Sequence, residues 1–199
     1  FNDGKEDNNN NYGYMFRAGN GGRLNFAIGQ GAWRELTTTS AVMKTSQWYH
    51  IAASYDGSYM RLYVDGKIVD SLYETDAIGV SSNVPLVIGG HSNPTAYSRH
   101  WAGKIDEVRI WKVTRTAAQI SQNMGNEFCV SEPNLVAYYK LNHGTANGSN
   151  TAVNVAKDYS KFKNDGKLLN FDLIKSSSNW TQGVSLSKTT VFDTISVSK

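Results

Sequence analysis

Two Asp-Gly pairs, Asp56-Gly57 and Asp65-Gly66, bracket a stretch in which apolar side chains fall on alternate positions. Met60, Leu62 and Val64 share one face of that stretch if it is extended, and Tyr59, Arg61 and Tyr63 share the other. Alternation closed at both ends by Asp-Gly is the pattern of an antiparallel meander, because Asp-Gly supplies the positive φ that a two-residue hairpin needs. A strand over Trp48 to Tyr55 leads in and Lys67-Ile-Val-Asp70 leads out. The same period recurs at Tyr12, Tyr14 and Phe16, and at Leu24, Phe26 and Ile28. Leu86-Val-Ile88 reads as a short buried strand, and Lys104 to Trp111 as another whose broken alternation predicts a bulge or burial on both sides. Only Thr116 to Met124 has helical spacing, with Thr114 or Thr116 as its cap. The chain therefore reads as all-β, with strands spaced for a sandwich. Trp48, Ile51, Leu62, Val64, Ile88, Val108 and Ile110 are its expected core.

The 199 residues are 40% hydrophobic, enough for a sizeable core and too apolar for disorder. No apolar run approaches the roughly 20 residues of a membrane-spanning helix, and no leader-like start is present. An export signal, if used, is expected upstream or already removed. The net charge of +3 comes from Lys and Arg interleaved with acids, as in Lys104-Ile-Asp-Glu-Val-Arg109. That mixture predicts a solvated surface and no nucleic-acid partner, and is compatible with a weak preference for anionic polysaccharide. With Cys129 as the single cysteine, no intrachain disulfide can form, which speaks against a secreted animal domain. The sequons at Asn147 and Asn179 then read as coincidences of an Asn-rich chain. The first eleven residues read as a loop, 142–157 as a polar loop, and the stretch from Ser185 as a tail with one strand, Val191 to Val197.

Trp48-Tyr-His-Ile-Ala-Ala-Ser-Tyr-Asp-Gly57, Met60-Arg-Leu-Tyr-Val-Asp-Gly-Lys67, Leu86-Val-Ile-Gly89 and Trp101-Ala-Gly-Lys-Ile-Asp-Glu-Val-Arg-Ile-Trp111 form an ordered series across residues 12–124. The series resembles the laminin-G-like, concanavalin A-like lectin/glucanase superfamily, especially its bacterial branch. The resemblance implies a jelly-roll β-sandwich of two antiparallel sheets. A second series, Leu135-Val-Ala-Tyr-Tyr-Lys-Leu-Asn142, Ala156-Lys-Asp-Tyr-Ser160, Asn164 to Phe171 and Ser178-Asn-Trp180, is similar to the opening strands of such a unit. The expected organisation is a sandwich over 1–128, an accessory segment over 129–184 packed on it, and a tail over 185–199. A complete unit would carry further strands before Tyr12. Truncation from a larger secreted protein, circular permutation, and loss of strands replaced by an accessory hairpin each account for this, and truncation is favoured.

The chemistry of the family's enzymes is sought and not found. Glycosidases of this fold set carboxylates on alternate positions of one strand, and Asp106 and Glu107 are adjacent, so they face opposite ways. Arg34-Glu-Leu36 is faintly similar to a lyase motif, with Gln47 and His50 wrongly spaced for its partner. The resemblance implies a structural Ca²⁺ held through oxygen, with Asp106 and Asp158 as the acidic positions. The four histidines show no zinc spacing. Ligand contacts are expected on loops, where aromatic faces stack on sugars and forked donors fix hydroxyls or acidic groups. Trp33 and Arg34 in one segment, and Asn93, Tyr97, Arg99 and His100 in another, carry those groups. The expected function is a non-catalytic carbohydrate-binding module of a secreted or cell-surface bacterial protein, joined to other domains and binding a polysaccharide. The alternatives are a structural or protein-interaction spacer, and a glycan-active enzyme with an unrecognised site.

Overall fold

The structure is a computed structural model that describes residues 2–5, 11–80, 84–93, 96–128, 132–174 and 179–189. It divides into two units, one of Phe1–Gly103 and Thr114–Met124, the other of Lys104–Val113 and Gly125–Lys199. The first opens with a four-stranded antiparallel sheet ordered β1 (Asn2–Lys5), β2 (Asn11–Gly19), β3 (Arg23–Gly31) and β4 (Trp33–Thr37). A three-stranded antiparallel sheet follows, ordered β5 (Ile51–Tyr55), β6 (Tyr59–Val64) and β7 (Lys67–Tyr73). The apolar faces of the two sheets meet. Leu24, Phe26, Ile28 and Leu36 of the first and Met60, Leu62 and Val64 of the second form one buried cluster.

Turn chemistry sets the register. Asp65 and Gly66 both have positive φ, 48° and 75°, the mirror-image turn that matches strand twist. Gly66 also lies against Ser121, where a Cβ would come within 2.9 Å of Cα. At the β2–β3 end, the carbonyl of Gly22 accepts from the amides of Val42 and Met43, tying the segment after β4 across the sheet. A Cβ at Gly22 would stand 2.1 Å from the Met43 carbonyl oxygen, so no other residue fits there. Helix α1 (Ala117–Asn123) is capped by Thr116 in a reciprocal box: Thr116 Oγ1 accepts from the Gln119 amide and Gln119 Oε1 from the Thr116 amide.

A hairpin of β8 (His91–Asn93) and β9 (Ala96–Ser98) completes the first unit. In the second, β10 (Val108–Trp111) pairs antiparallel with β12 (Leu135–Tyr139), and β11 (Asn126–Phe128) runs parallel to β15 (Ser187–Thr189). Short strands β13 (Val155–Ala156) and β14 (Gly166–Lys167) pair antiparallel. Phe128, Leu135 and Tyr138 form a buried cluster there, with Trp111 and Tyr159 against it.

Several expectations need correction. Asn2–Lys5 is a paired strand, not loop; an edge strand needs only backbone donors and acceptors, which Asn, Asp and Gly supply as well as apolar residues do. Trp48 precedes β5 and is 44% exposed, so it is outside the core. Val108 and Ile110 belong to the second unit rather than to the Leu62 cluster. Residues 86–88 form no continuous strand, only a bridge at Val87. The expected bulge in the Lys104–Trp111 stretch is present as a register shift between Ile110 and Trp111. The expected strand at Val191–Val197 lies outside the described residues. Among the described residues no helix is long and apolar enough to cross a membrane.

The two environments predict a contrast. Leu62→Ala empties a fully buried position and should cost about 2–5 kcal/mol. Trp48→Ala should cost under about 1 kcal/mol despite removing a larger side chain. Urea unfolding of both variants checks this, and equal losses would place Trp48 in the core after all.

Candidate functional site

On the four-stranded sheet, cross-strand register decides which side chains share a face. Arg17, Asn25 and Thr37 stand opposite one another on β2, β3 and β4. Their strand neighbours Phe16, Phe26 and Leu36 point into the core, so this column points outward. The three are already linked. Arg17 Nε donates to Asn25 Oδ1 (2.9 Å) and Arg17 Nη2 to Glu35 Oε2 (3.0 Å). Asn25 Nδ2 donates to Glu35 Oε2 (2.9 Å) and to Thr37 Oγ1 (2.7 Å). Beside this network opens a cleft of about 560 Å³, lined by Arg17, Gly19, Gly21, Arg23, Leu24, Asn25, Thr37 and Ala41. Arg23 sits across from Gly19, so the cleft exists because one partner of that pair has no side chain. A Cβ at Gly19 would meet nothing within 4 Å. Among the described residues two guanidinium groups line the cleft and Glu35 balances one of them, so this described lining is net positive.

The structure describes the side chains of four of the six sequence-predicted ligand residues, Trp33, Arg34, Arg99 and His100. Trp33 and Arg34 are consecutive on β4 and face opposite ways. The Trp33 ring covers Gly29, where a Cβ would come within 2.8 Å of it, and its Nε1 is enclosed without a hydrogen-bond partner. Arg34 Nε is held by Asp76 Oδ2 at 2.6 Å, with Glu74 Oε2 at 3.6 Å, and this hydrogen bond and charge raise its pKa. Its fork is committed to protein carboxylates. Asn93 and Tyr97 lie on β8 and β9, and their side chains are outside what the structure describes. Arg99 and His100 follow β9 and are exposed, Arg99 with φ of 51°.

Of the two acidic positions expected to hold a metal, Asp158 has no lone pair left for a cation. Ca²⁺ needs six to eight oxygen ligands with lone pairs directed at it. Asp158 is buried, and both of its oxygens are saturated. Oδ1 accepts from the amides of Tyr138 (2.9 Å) and Ser160 (2.8 Å); Oδ2 accepts from Ser160 Oγ (2.8 Å) and the Asn164 amide (2.9 Å). Burial works to raise its pKa, but these hydrogen bonds outweigh it and hold the carboxyl below its ordinary value. Asp106 accepts from the amides of Glu107 (3.1 Å) and Val184 (2.9 Å), with Gly183 pressed against Oδ2. Among the described residues, no three acidic, His or Cys side chains gather into a metal-holding group.

Asp106 and Glu107 are raised above the ordinary carboxyl range, chiefly by burial. Raised carboxyls are what a catalytic acid needs, yet neither lines the cleft. Glu107 Oε2 accepts from Tyr138 Oη (2.5 Å) and Arg109 Nη2 (2.8 Å). Arg109 in turn lies 4.4 Å from the Phe128 ring centroid, donates to the Asn126 carbonyl, and with Lys140 flanks Tyr138. These charges are committed to packing the second unit.

Comparison with known proteins gives three results. The model of the concanavalin A-like lectin/glucanases superfamily, of laminin-G type, matches residues 1–121. A protein of Bacteroides ovatus, described as a candidate carbohydrate-binding protein, superposes with a TM-score of 0.56 and 30% identity over 73% of this chain and 42% of its own. Human and mouse pappalysin-1 are each 32% identical over 109 residues, 51% of this chain and 6% of theirs. The chain thus spans less than half of each of these relatives.

The Asp158 geometry sets a pH prediction. A carboxyl held below its ordinary pKa contributes stability that is present above about pH 4 and lost as pH falls through its folded value. Asp158→Asn leaves buried donors unmatched, at about 1–3 kcal/mol for each. Melting curves should show the variant less stable at pH 7 and losing less than the parent between about pH 4 and 2. Parallel acid limbs would contradict this, and a chelator-dependent melting temperature in the parent would restore a metal.

Proposed function

Because the chain belongs to the concanavalin A-like lectin/glucanases superfamily, we propose that it is a non-catalytic carbohydrate-binding module whose site is the cleft beside Arg17, Arg23, Asn25 and Thr37. The observation that carries the reading is the cleft itself: an outward polar column on a rigid sheet, adjoining a space kept open by Gly19 and Gly21. Sites on strands hold donors more firmly than sites on loops, and sugars are fixed by just such directed donors and acceptors. Among the described residues no carboxyl side chain lines the cleft, which supports binding over cleavage, since glycoside hydrolysis uses two carboxyl groups across the bond. Likeness to the Bacteroides ovatus protein supports the carbohydrate class. The net positive described lining favours glycans that carry carboxylate or sulfate, which an Arg fork can grip in two bonds. In this reading the module belongs to a secreted or surface protein and anchors its other domains to polysaccharide, with avidity across copies making up for weak single-site affinity.

Affinity electrophoresis through polygalacturonate and through neutral hydroxyethylcellulose tests the reading. The parent should be retarded, and Arg23→Ala should weaken retention on polygalacturonate about tenfold, equivalent to about 1.4 kcal/mol. Gly19→Leu fills the cleft where there is room for it and should abolish that retention while the melting temperature stays within about 3 °C of the parent. Loss of retention with Arg99→Ala but not with Arg23→Ala would move the site to the β8–β9 hairpin. No retention of the parent on either matrix, together with a blank glycan array, would refute carbohydrate binding.

A further inference from the structure

The three-stranded sheet carries a second group of residues that the cleft does not use. Register sets Tyr59 directly opposite Tyr73, and Arg61 opposite Ser71, on the face turned away from the Met60–Leu62–Val64 core. Both rings are unusually open, Tyr73 being 65% exposed and Tyr59 41%. They meet edge to face, with centroids 5.3 Å apart and planes at 71°. The Arg61 guanidinium lies 5.0 Å from the Tyr59 centroid, and its Nη1 donates to Asp56 Oδ2 at 2.6 Å. Asp56 is itself fixed: its Oδ1 accepts from the amides of Ser58 (2.9 Å) and Tyr59 (2.7 Å) in the hairpin turn. The hydrogen bond from Arg61, followed by that from the Tyr59 amide, lowers the Asp56 carboxyl to about 2, so the ion pair persists at neutral pH.

The parts form a chain of constraint. The turn holds Asp56, Asp56 holds Arg61, Arg61 covers one side of Tyr59, and Tyr59 meets Tyr73 edge to face. Ordering costs that an exposed aromatic and a long cation would meet on binding have already been met in the fold. Resting on the carbohydrate reading above, we infer that Tyr59, Tyr73 and Arg61 form a second glycan-contact surface that takes neutral pyranosides. The Tyr73 ring supplies the stacking plane and Arg61 the adjacent donors to hydroxyls. Charge decides the ligand class. Arg61 is neutralised by Asp56, so an acidic group gains little here, whereas the described cleft lining is net positive. The chain then has two surfaces of different preference on two different sheets.

The test uses the full chain on hydroxyethylcellulose as the neutral probe and polygalacturonate as the acidic one. Tyr73→Ala should weaken retention on hydroxyethylcellulose about fivefold, Tyr73→Phe should keep it, and Tyr73→Leu should behave as Ala because the plane, not the apolar area, is required. Melting temperature and sedimentation velocity are run on each variant. If the parent is retained and Tyr73→Ala matches it, the second surface is refuted while carbohydrate binding stands. If Tyr73→Leu binds like the parent, stacking is refuted. If Tyr73→Ala instead converts a dimer to a monomer, the patch is a self-association surface and the inference fails. If the parent is retained on polygalacturonate alone or on neither matrix, a neutral ligand here is refuted; a blank glycan array besides no retention on either takes the carbohydrate reading with it.

Discussion

The contact between the inner faces of β3 and β6 fixes everything else in the first unit. Leu24, Phe26 and Ile28 must meet Met60, Leu62 and Val64, and strand periodicity then leaves no freedom in what points outward. A slip of one residue in β3 would bury Asn25 and expose Phe26. The same constraint that hides the apolar strip therefore builds the Arg17–Asn25–Thr37 column on one outer surface and the Tyr59–Arg61–Tyr73 group on the other. Both are consequences of register, held by the turns at 20–22, 56–58 and 65–66.

The second unit solves a different problem. Its buried cluster is small and its strands are short, so polar groups do much of the organising. Tyr138 packs between Arg109 and Lys140, with Glu107 and Glu127 balancing the two cations. Trp111, Phe128, Tyr138 and Tyr159 follow one another in edge-to-face contacts of 5.9–6.4 Å. Asp158 ties β12 to the turn after it through four hydrogen bonds. An aspartate so used is a backbone organiser.

What the sequence disclosed follows from where the signal resides. The β6 strand, its two turns and helix α1 with its Thr116 cap are written in local periodicity and turn residues, and they stand as read. The β1 strand is illegible because its pairing uses backbone groups alone. Trp48 misleads because its size suggests burial, while its position before β5 is set by the chain's path. The cleft joins residues 8 and 12 apart on three strands, and no local motif marks such a column. A signal did exist: Asn20-Gly21-Gly22 is a turn, and counting outward from it pairs Arg17 with Asn25. Trp33 and Arg34, read as partners because they are adjacent, are separated by the alternation of the strand that carries them.

The central claim is that core register creates the carbohydrate-contacting surface. Chemical-shift mapping on the isotope-labelled chain, titrated with oligogalacturonate, tests it most directly. The account predicts saturable shifts at the side-chain signals of Arg17, Arg23 and Asn25 and at the amides of Gly19 and Gly21, with Phe16, Phe26 and Leu36 on the opposite face unmoved. Shifts confined to residues 91–100, or spread equally over both faces of the sheet, would contradict it.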